Sequence, residues 1–280
     1  MRFEKWTALG NDYLIVEAEQ LPWDLSEERI GRLCDPHFGV GSDGILLLSA
    51  PESTAYVAEL RIFNPDGSEA ELSGNGARQA ALYLRNRGWT DADEFTMLTR
   101  AGEIRPAIRS GREATLEMGR AATTSDDFPS GPADGRGELE AGGRTWSFRH
   151  VSIGNPQCAI AVGDDLEQLD LAAIGPEIER HRLFPNRTNV SFYRARGDRV
   201  RARIFERGVG ETLSSGTGAS GAAVAAHLDG VGRALTVELD GGELSVEIDG
   251  GLGVSLTGWA EPVYAGVLAP EQVAGLGDLG

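Results

Sequence analysis

Lysine is nearly missing from this sequence: among its 26 lysines and arginines, Lys5 is the only lysine. A pyridoxal-phosphate enzyme holds its cofactor as a Schiff base on lysine. Lys5 has no phosphate-cradling loop beside it, which argues against a cofactor-dependent racemase. Cysteine is scarce as well. Cys34 and Cys158 lie in separate halves with no CxxC spacing, so neither a disulfide framework nor a structural zinc site is expected. Both read as small buried hydrophobes. No apolar run is long enough to cross a bilayer, and the opening MRFEKWTALGND lacks the pattern of a signal peptide. These two absences point to a cytoplasmic protein. Basic charge is outweighed to a net −17. No basic face is offered to nucleic acid or to an anionic membrane, and the surplus speaks to solubility, with adaptation to salt as one reading.

The 280 residues suffice for two ordinary domains. With 41% hydrophobic and 25% charged residues, the composition is that of a globular protein. Alternating or β-branched runs predict strands at 2–6, 13–16, 44–48, 58–63, 95–98, 115–118, 146–153, 158–162, 188–193 and 200–206. The stretch LTVELDGGELSVEIDGGLGVSLTG predicts a three-strand meander, because Asp-Gly-Gly tolerates the positive φ of tight hairpin turns. Asp24-Leu25-Ser26-Glu27 resembles a capping box opening a helix to Leu33, and 170–182 is a second helix candidate. Strand runs interrupted by a few helices predict an α+β architecture.

Two further helices begin at glycine-rich turns that repeat one another. Residues 73–78 read Ser-Gly-Asn-Gly-Ala-Arg, and residues 215–220 read Ser-Gly-Thr-Gly-Ala-Ser. Each follows a strand and a turn and opens an alanine-rich helix, as duplication would leave. A helix N-terminus presents unpaired N–H groups and the positive end of the dipole, which suit a carboxylate. Glycine lets a ligand approach the backbone closely. Ser73 and Ser215 also suit plain N-caps. Neither loop has the Gly-Lys-Ser/Thr of a P-loop, and strands do not alternate with helices as in a dinucleotide fold.

The ordered segments Leu9-Gly10-Asn11-Asp12, Gly39-Val40-Gly41-Ser42-Asp43-Gly44 and Arg61-Ile62-Phe63-Asn64-Pro65-Asp66-Gly67-Ser68 carry a family resemblance. So do the 73–78 loop, Gly154-Asn155-Pro156-Gln157-Cys158, Thr188-Asn189-Val190, and Phe205-Glu206-Arg207-Gly208-Val209-Gly210-Glu211-Thr212 running into the 215–218 loop. Along nearly its whole length the chain resembles diaminopimelate epimerase. The resemblance implies two pseudo-symmetric domains, each a mixed β-barrel-like sheet around a central helix, with the active site between them. The N-terminal domain would span 1–118, completed by a C-terminal strand at about 261–270, and the second 119–260. It implies a cofactor-independent, metal-free isomerase of a small amino acid, with no nucleic-acid or membrane partner; a homodimer is left open.

The resemblance further implies that Asn11, Asn64, Asn155 and Asn189 bind the substrate's remote end or frame. Glu206 and Arg207 would engage the amino and carboxylate groups near the reacting carbon. Backbone N–H groups at Gly74-Asn75 and Gly216-Thr217 would hold the reacting carboxylate. At both proton-transfer positions, where the family has cysteine, this sequence has serine: Ser73 and Ser215. A serine hydroxyl is a far weaker acid than a thiol and needs an adjacent base. Gln157 stands where the family commonly has histidine, and Gly44 where a polar side chain helps bind substrate. Three readings follow. One is an epimerase interconverting LL- and meso-diaminopimelate by two-base proton transfer, its cysteines replaced by serine at both proton-transfer positions, either natively or by engineering to trap a substrate. Another is a same-fold isomerase recruiting Asp12, Asp43 or Glu211 as base. The third is a silent amino-acid-binding homologue.

Overall fold

The computed structural model describes residues 1–279. In chain order its elements are β1 (Arg2–Ala8), β2 (Asn11–Glu17), α1 (Glu27–Cys34), β3 (Ile45–Ser49), β4 (Ala58–Phe63) and β5 (Glu69–Ala70). Then come α2 (Gly74–Asn86), β6 (Met97–Thr99), β7 (Gly102–Ile104), β8 (Ala107–Ser110), β9 (Glu113–Arg120) and β10 (Arg136–Ala141). They are followed by β11 (Arg144–Ser152), β12 (Pro156–Ala161), α3 (Leu171–Glu179), β13 (Asn189–Arg196), β14 (Arg199–Glu206) and β15 (Gly210–Thr212). The chain ends with α4 (Gly216–Leu228), β16 (Ala234–Leu239), β17 (Gly242–Ile248), β18 (Gly253–Trp259), β19 (Glu261–Val267) and α5 (Pro270–Gly277). Contacts divide it into two compact units, Met1–Leu116 with the segment from Gly258 onward, and Glu117–Thr257.

The first unit carries strands in the order β19-β1-β2-β3-β4-β6-β7, with β5 on β4. The second contains the run β10-β11-β12-β13-β14-β16-β17, which continues into β18, with β15 on β14. The pairing senses along both paths are the same. In the first they run antiparallel, antiparallel, parallel, antiparallel, parallel, antiparallel. In the second the sequence of senses repeats step for step. The repeat seen in two glycine loops is therefore a repeat of a whole unit. One difference is topological: β1 is flanked by β19, from the far end of the sequence, whereas β11 is flanked by its chain neighbour β10. The first path ends on β19 and β7 without closing into a barrel.

Each unit has its own core. Phe3, Leu14, Val16, Ile30, Leu33, Ile45, Phe63 and Leu276 cluster in the first, and Phe128, Trp146, Phe148, Ile160, Phe184, Phe192 and Phe205 in the second. Helix α2 packs on β1, β2, β3 and β8, and α4 on β11, β12, β13, β14, β16 and β17. Residues Gly218–Ala226 of α4 are all buried, as expected of a helix that is apolar on every side. Two glycines let these helices begin against strands. A Cβ on Gly76 would stand 3.0 Å from Leu46 Cδ2, and one on Gly218 would stand 2.8 Å from Ile204 Cγ2.

The meander forms as β16–β17–β18 with its two Asp-Gly-Gly turns. Helix α1 differs at its cap. Ser26 Oγ accepts from Arg29 N at 3.3 Å, while Asp24 offers its carbonyl to Arg29 Nη1 at 2.9 Å. The short strands β5, β7, β8, β10 and β15 and helix α5 carry no apolar periodicity that sequence reading detects. Each is held by its partner strand or by tertiary bonds such as Arg29 Nε to Leu276 O at 2.8 Å.

Candidate active site

Ser73 and Ser215 occupy the same place in their respective units. Each stands between the short hairpin strand (β5 or β15) and the helix it opens (α2 or α4). Each has extended backbone, φ −132° and −143° with ψ 121° in both, and caps its helix. Ser73 Oγ accepts from Gly76 N at 3.1 Å, and Ser215 Oγ from Gly218 N at 3.2 Å. That geometry leaves Gly74-Asn75 and Gly216-Thr217 as the first helical residues, whose N–H groups lie outside the helical ladder at the positive end of the dipole. Both loops are therefore built to receive an anion.

In the first unit the Tyr13 hydroxyl donates to Ser73 Oγ at 3.3 Å. Asn75 is buried, and its Oδ1 accepts from Arg78 Nη2 one helical turn on. The Arg78 side chain is wholly buried, and its Nε and Nη1 have no hydrogen-bond partner. Burial pulls this guanidinium down to about 10, which still leaves it charged at neutral pH. It adds positive charge at the first turn of α2, its Nη1 3.9 Å from where a Cβ on Gly74 would stand. Asn11 donates to Asp43 Oδ2 at 3.0 Å and gives its carbonyl to Gln79 Nε2 at 3.0 Å. Asn64 lies in the turn after β4, donating to Ser68 Oγ at 2.9 Å.

Gly44 cannot carry the polar side chain the resemblance led one to look for. A Cβ there would approach Phe63 O to 2.3 Å and Tyr13 Cε1 to 2.7 Å. Gly44→Ala should therefore cost about 1–3 kcal/mol of stability through overpacking and displace the ring that reaches Ser73. Urea unfolding of the variant checks this, and an unchanged midpoint would disprove the clash.

The second unit draws more of the predicted residues into one network. Asn155 Nδ2 donates to Thr217 Oγ1 at 3.2 Å, and Asn155 Oδ1 accepts from Gln157 Nε2 at 2.7 Å. Asn189 Nδ2 donates to Pro156 O at 3.1 Å, and its Oδ1 accepts from Arg207 N at 2.9 Å. Gln157 is thus an orienter of Asn155, buried by a close approach of α4 at Gly221, where a Cβ would stand 2.8 Å from Gln157 Cβ. The Arg207 guanidinium turns to Asn186 O at 2.9 Å. Glu206 accepts from Thr212 Oγ1 at 2.9 Å.

Burial raises the Glu206 carboxyl above the ordinary carboxylate range, and the hydroxyls of Thr212 and Ser215 oppose that rise. A carboxyl raised on folding holds its proton more tightly folded than unfolded. Its favourable contribution is complete at low pH and is lost as pH climbs through the raised value. Glu206→Gln should therefore melt above the parent at neutral pH, with the margin vanishing below about pH 4, where the unfolded carboxyl is also protonated. Melting curves across pH check this; a margin that grows as pH falls would contradict it.

The other acids named from sequence are engaged elsewhere. Asp12 pairs with Lys5 at 3.0 Å, and Asp12 and Asp43 each accept from the other's backbone N–H at 3.1 and 2.9 Å. Glu211 pairs with Arg203 at 2.6 Å. Burial pushes the Cys34 thiol up and the Cys158 thiol further, so neither offers a ready thiolate. No group of three or more His, Cys, Asp or Glu among the described residues is arranged to hold a metal ion. A cavity of about 520 Å³ on the second unit, lined by Arg136, Arg149, Tyr193 and Asp229, includes none of the residues above. No helix among the described residues is long and apolar enough to cross a membrane.

The arrangement matches known structures. A hydroxyproline epimerase from Agrobacterium vitis aligns with a TM-score of 0.66 at 17% identity, covering 98% of this chain and 94% of that one. A phenazine biosynthesis protein from Bacillus anthracis aligns at 0.65 and 19%, covering 96% and 99%. These define the fold, a two-unit α+β architecture shared by racemases and epimerases. The sequence goes further. The diaminopimelate epimerase family model matches residues 3–124 and 149–261. The diaminopimelate epimerase of Pelotomaculum thermopropionicum is 42% identical over 278 residues, covering 95% of this chain and 98% of the relative. That of a Cyanothece species is 40% identical over 282 residues, covering 96% and 99%. The chain belongs to the diaminopimelate epimerase family, and it is an isomerase.

Proposed function

We propose that this enzyme interconverts LL- and meso-diaminopimelate without a cofactor, with Ser73 and Ser215 at the two proton-transfer positions. The observation that carries the reading is the matched placement of these serines. Each caps the helix opened by its glycine loop, beside backbone donors suited to a carboxylate. An α-proton becomes removable only when the charge left on carbon and carboxylate is stabilised, and preorganised N–H donors at helix N-termini supply that. Gly74, Asn75, Gly216 and Thr217 take this role. Asn11, Asn64, Asn155 and Asn189 bind the remote amino-acid end or the frame of the substrate, and Glu206 and Arg207 engage the groups near the reacting carbon. With a surface this acidic, the partner is a small amino acid in the cytoplasm, and neither nucleic acid nor a membrane.

The test is proton NMR of diaminopimelate with the enzyme in heavy water. Loss of the α-proton signal with growth of the other stereoisomer is the expected result. Chemical-shift changes without exchange would establish a silent binding protein, and neither change would establish a different substrate.

A further inference from the structure

The two half-sites share their glycine loops but differ in what lies behind the first helical turn. Ser-Gly-Asn-Gly-Ala-Arg in the first unit aligns with Ser-Gly-Thr-Gly-Ala-Ser in the second, so Arg78 answers to Ser220. Both side chains are fully buried. Ser220 Oγ donates to Gly216 O at 2.8 Å, one turn back along α4, and brings no charge. The nearest atoms to a Cβ on Gly216 would be Met118 Cε at 3.8 Å and Leu256 Cδ2 at 4.0 Å, both apolar. For Gly74 the nearest atom is Arg78 Nη1 at 3.9 Å. A cation stands behind one loop and hydrocarbon behind the other.

Arg78 is a cation without an anion. Its one hydrogen bond runs from Nη2 to Asn75 Oδ1, and among the described residues Nε and Nη1 are buried with no partner. A buried charge left unpaired is strongly destabilising, more so than one that is paired. The ligand-free site therefore holds a standing electrostatic deficit, and the free face of the guanidinium lies beside Gly74, where the loop presents its N–H donors. An anion seated at that loop would offset the deficit.

We propose that Arg78 is a positioning residue of the first half-site, whose charge makes the α2 loop the stronger of the two receptors for the substrate's reacting carboxylate. The proposal rests on the epimerase reading for its substrate. The side chain is buried, so it acts through its field and through its bond to Asn75, without touching the ligand. Away from water that field is weakly screened. As the Cα–H bond breaks, the electron pair stays on the α-carbon and its carboxylate, and a fixed cation nearby steadies the added charge. Ser220 offers no such support, so the half-sites are unequal in charge although they match in backbone.

Two substitutions separate the charge from the packing. Arg78→Gln keeps an amide donor for Asn75 and removes the charge, whereas Arg78→Lys keeps a charge. Calorimetry measures diaminopimelate binding, and melting is followed without ligand. Arg78→Gln should melt at or above the parent, because an unpaired buried charge has gone, yet bind at least about tenfold more weakly. Arg78→Lys should bind within about threefold of the parent, since a point charge suffices where no bidentate fork is used. A merely structural arginine would give a lower melting temperature with an unchanged Kd in Arg78→Gln, and that pattern would overturn the proposal. Equal Kd values in the two variants would overturn it as well. If Arg78→Gln does not fold, nitrogen-15 NMR of the parent decides, with the Arg78 side-chain signal assigned by its absence from Arg78→Lys. Saturation with diaminopimelate should shift that signal, and an unmoved signal overturns the proposal. If the parent binds no diaminopimelate, the epimerase reading fails separately, and sodium acetate becomes the probe. Acetate should raise the parent's melting temperature over equal sodium chloride, and raise that of Arg78→Gln less; equal rises overturn the role of Arg78.

Discussion

Ser73→Ala and Ser215→Ala should each slow α-proton exchange by roughly 10²–10⁴-fold, the contribution of a positioned acid–base group. On the free-energy scale that is about 3–5 kcal/mol of barrier. The same changes remove helix caps, worth about 1 kcal/mol of stability each. In a chain of this size such a loss lowers Tm by only about 2–4 °C, so a thermal effect is too small to imitate the kinetic one. Asparagine separates the two directly, since it caps a helix as well as serine does but carries no hydroxyl. Ser73→Asn and Ser215→Asn should keep the parent melting temperature and lose the rate. Parent-level exchange in either asparagine variant would remove that serine from the reaction.

Cysteine at both positions should do the opposite. A thiol ionises near pH 8.5 in the open, and lower at a helix N-terminus, so at pH 8 the double variant should exchange at least about tenfold faster than the parent. The gain should be unequal. Ser73 has a phenol beside it, from Tyr13, whereas Ser215 has the Glu206 carboxyl, and a neighbouring negative charge opposes thiolate formation. Ser73→Cys alone should therefore gain more than Ser215→Cys alone. A double variant no faster than the parent would mean that the hydroxyls are not what limits the step.

Much of this was legible in the sequence because it is local. The serine caps, the glycine turns, the continuous apolar runs of β2 and β3 and the alternating run of β14 follow from residues within one element. The SGNGAR and SGTGAS loops announced the duplication, which the strand pairing extends to a whole unit. What escaped is non-local or unpatterned. Tyr13 and Ser73 are brought together by a helix packed on a sheet, and nothing in either segment foretells the contact. Glu206 is held by Thr212 at the end of β15, three residues reading Gly-Glu-Thr with no apolar signal. Asp12, Asp43 and Glu211 looked like spare bases because sequence does not show their partners. Gln157 read as a departure from the family, and only its bond to Asn155 shows what it does. No periodicity predicts the pairing of β1 with β19; the expectation of a strand at about 261–270 on the first domain comes from the family resemblance alone.

The solitary lysine has a practical consequence. Lys5 Nζ donates to Gly41 O at 2.7 Å and pairs with Asp12 at 3.0 Å, tying strand β1 to the segment that holds Asn11 and Asp43. It is the only side-chain amine in the sequence. An acylating dye aimed at side-chain amines thus has one address, and it must break both of those bonds to react. The rate at which Lys5 takes the label is a stopwatch for the opening of that segment, readable in a single mass spectrum and shifted by whatever ligand steadies it.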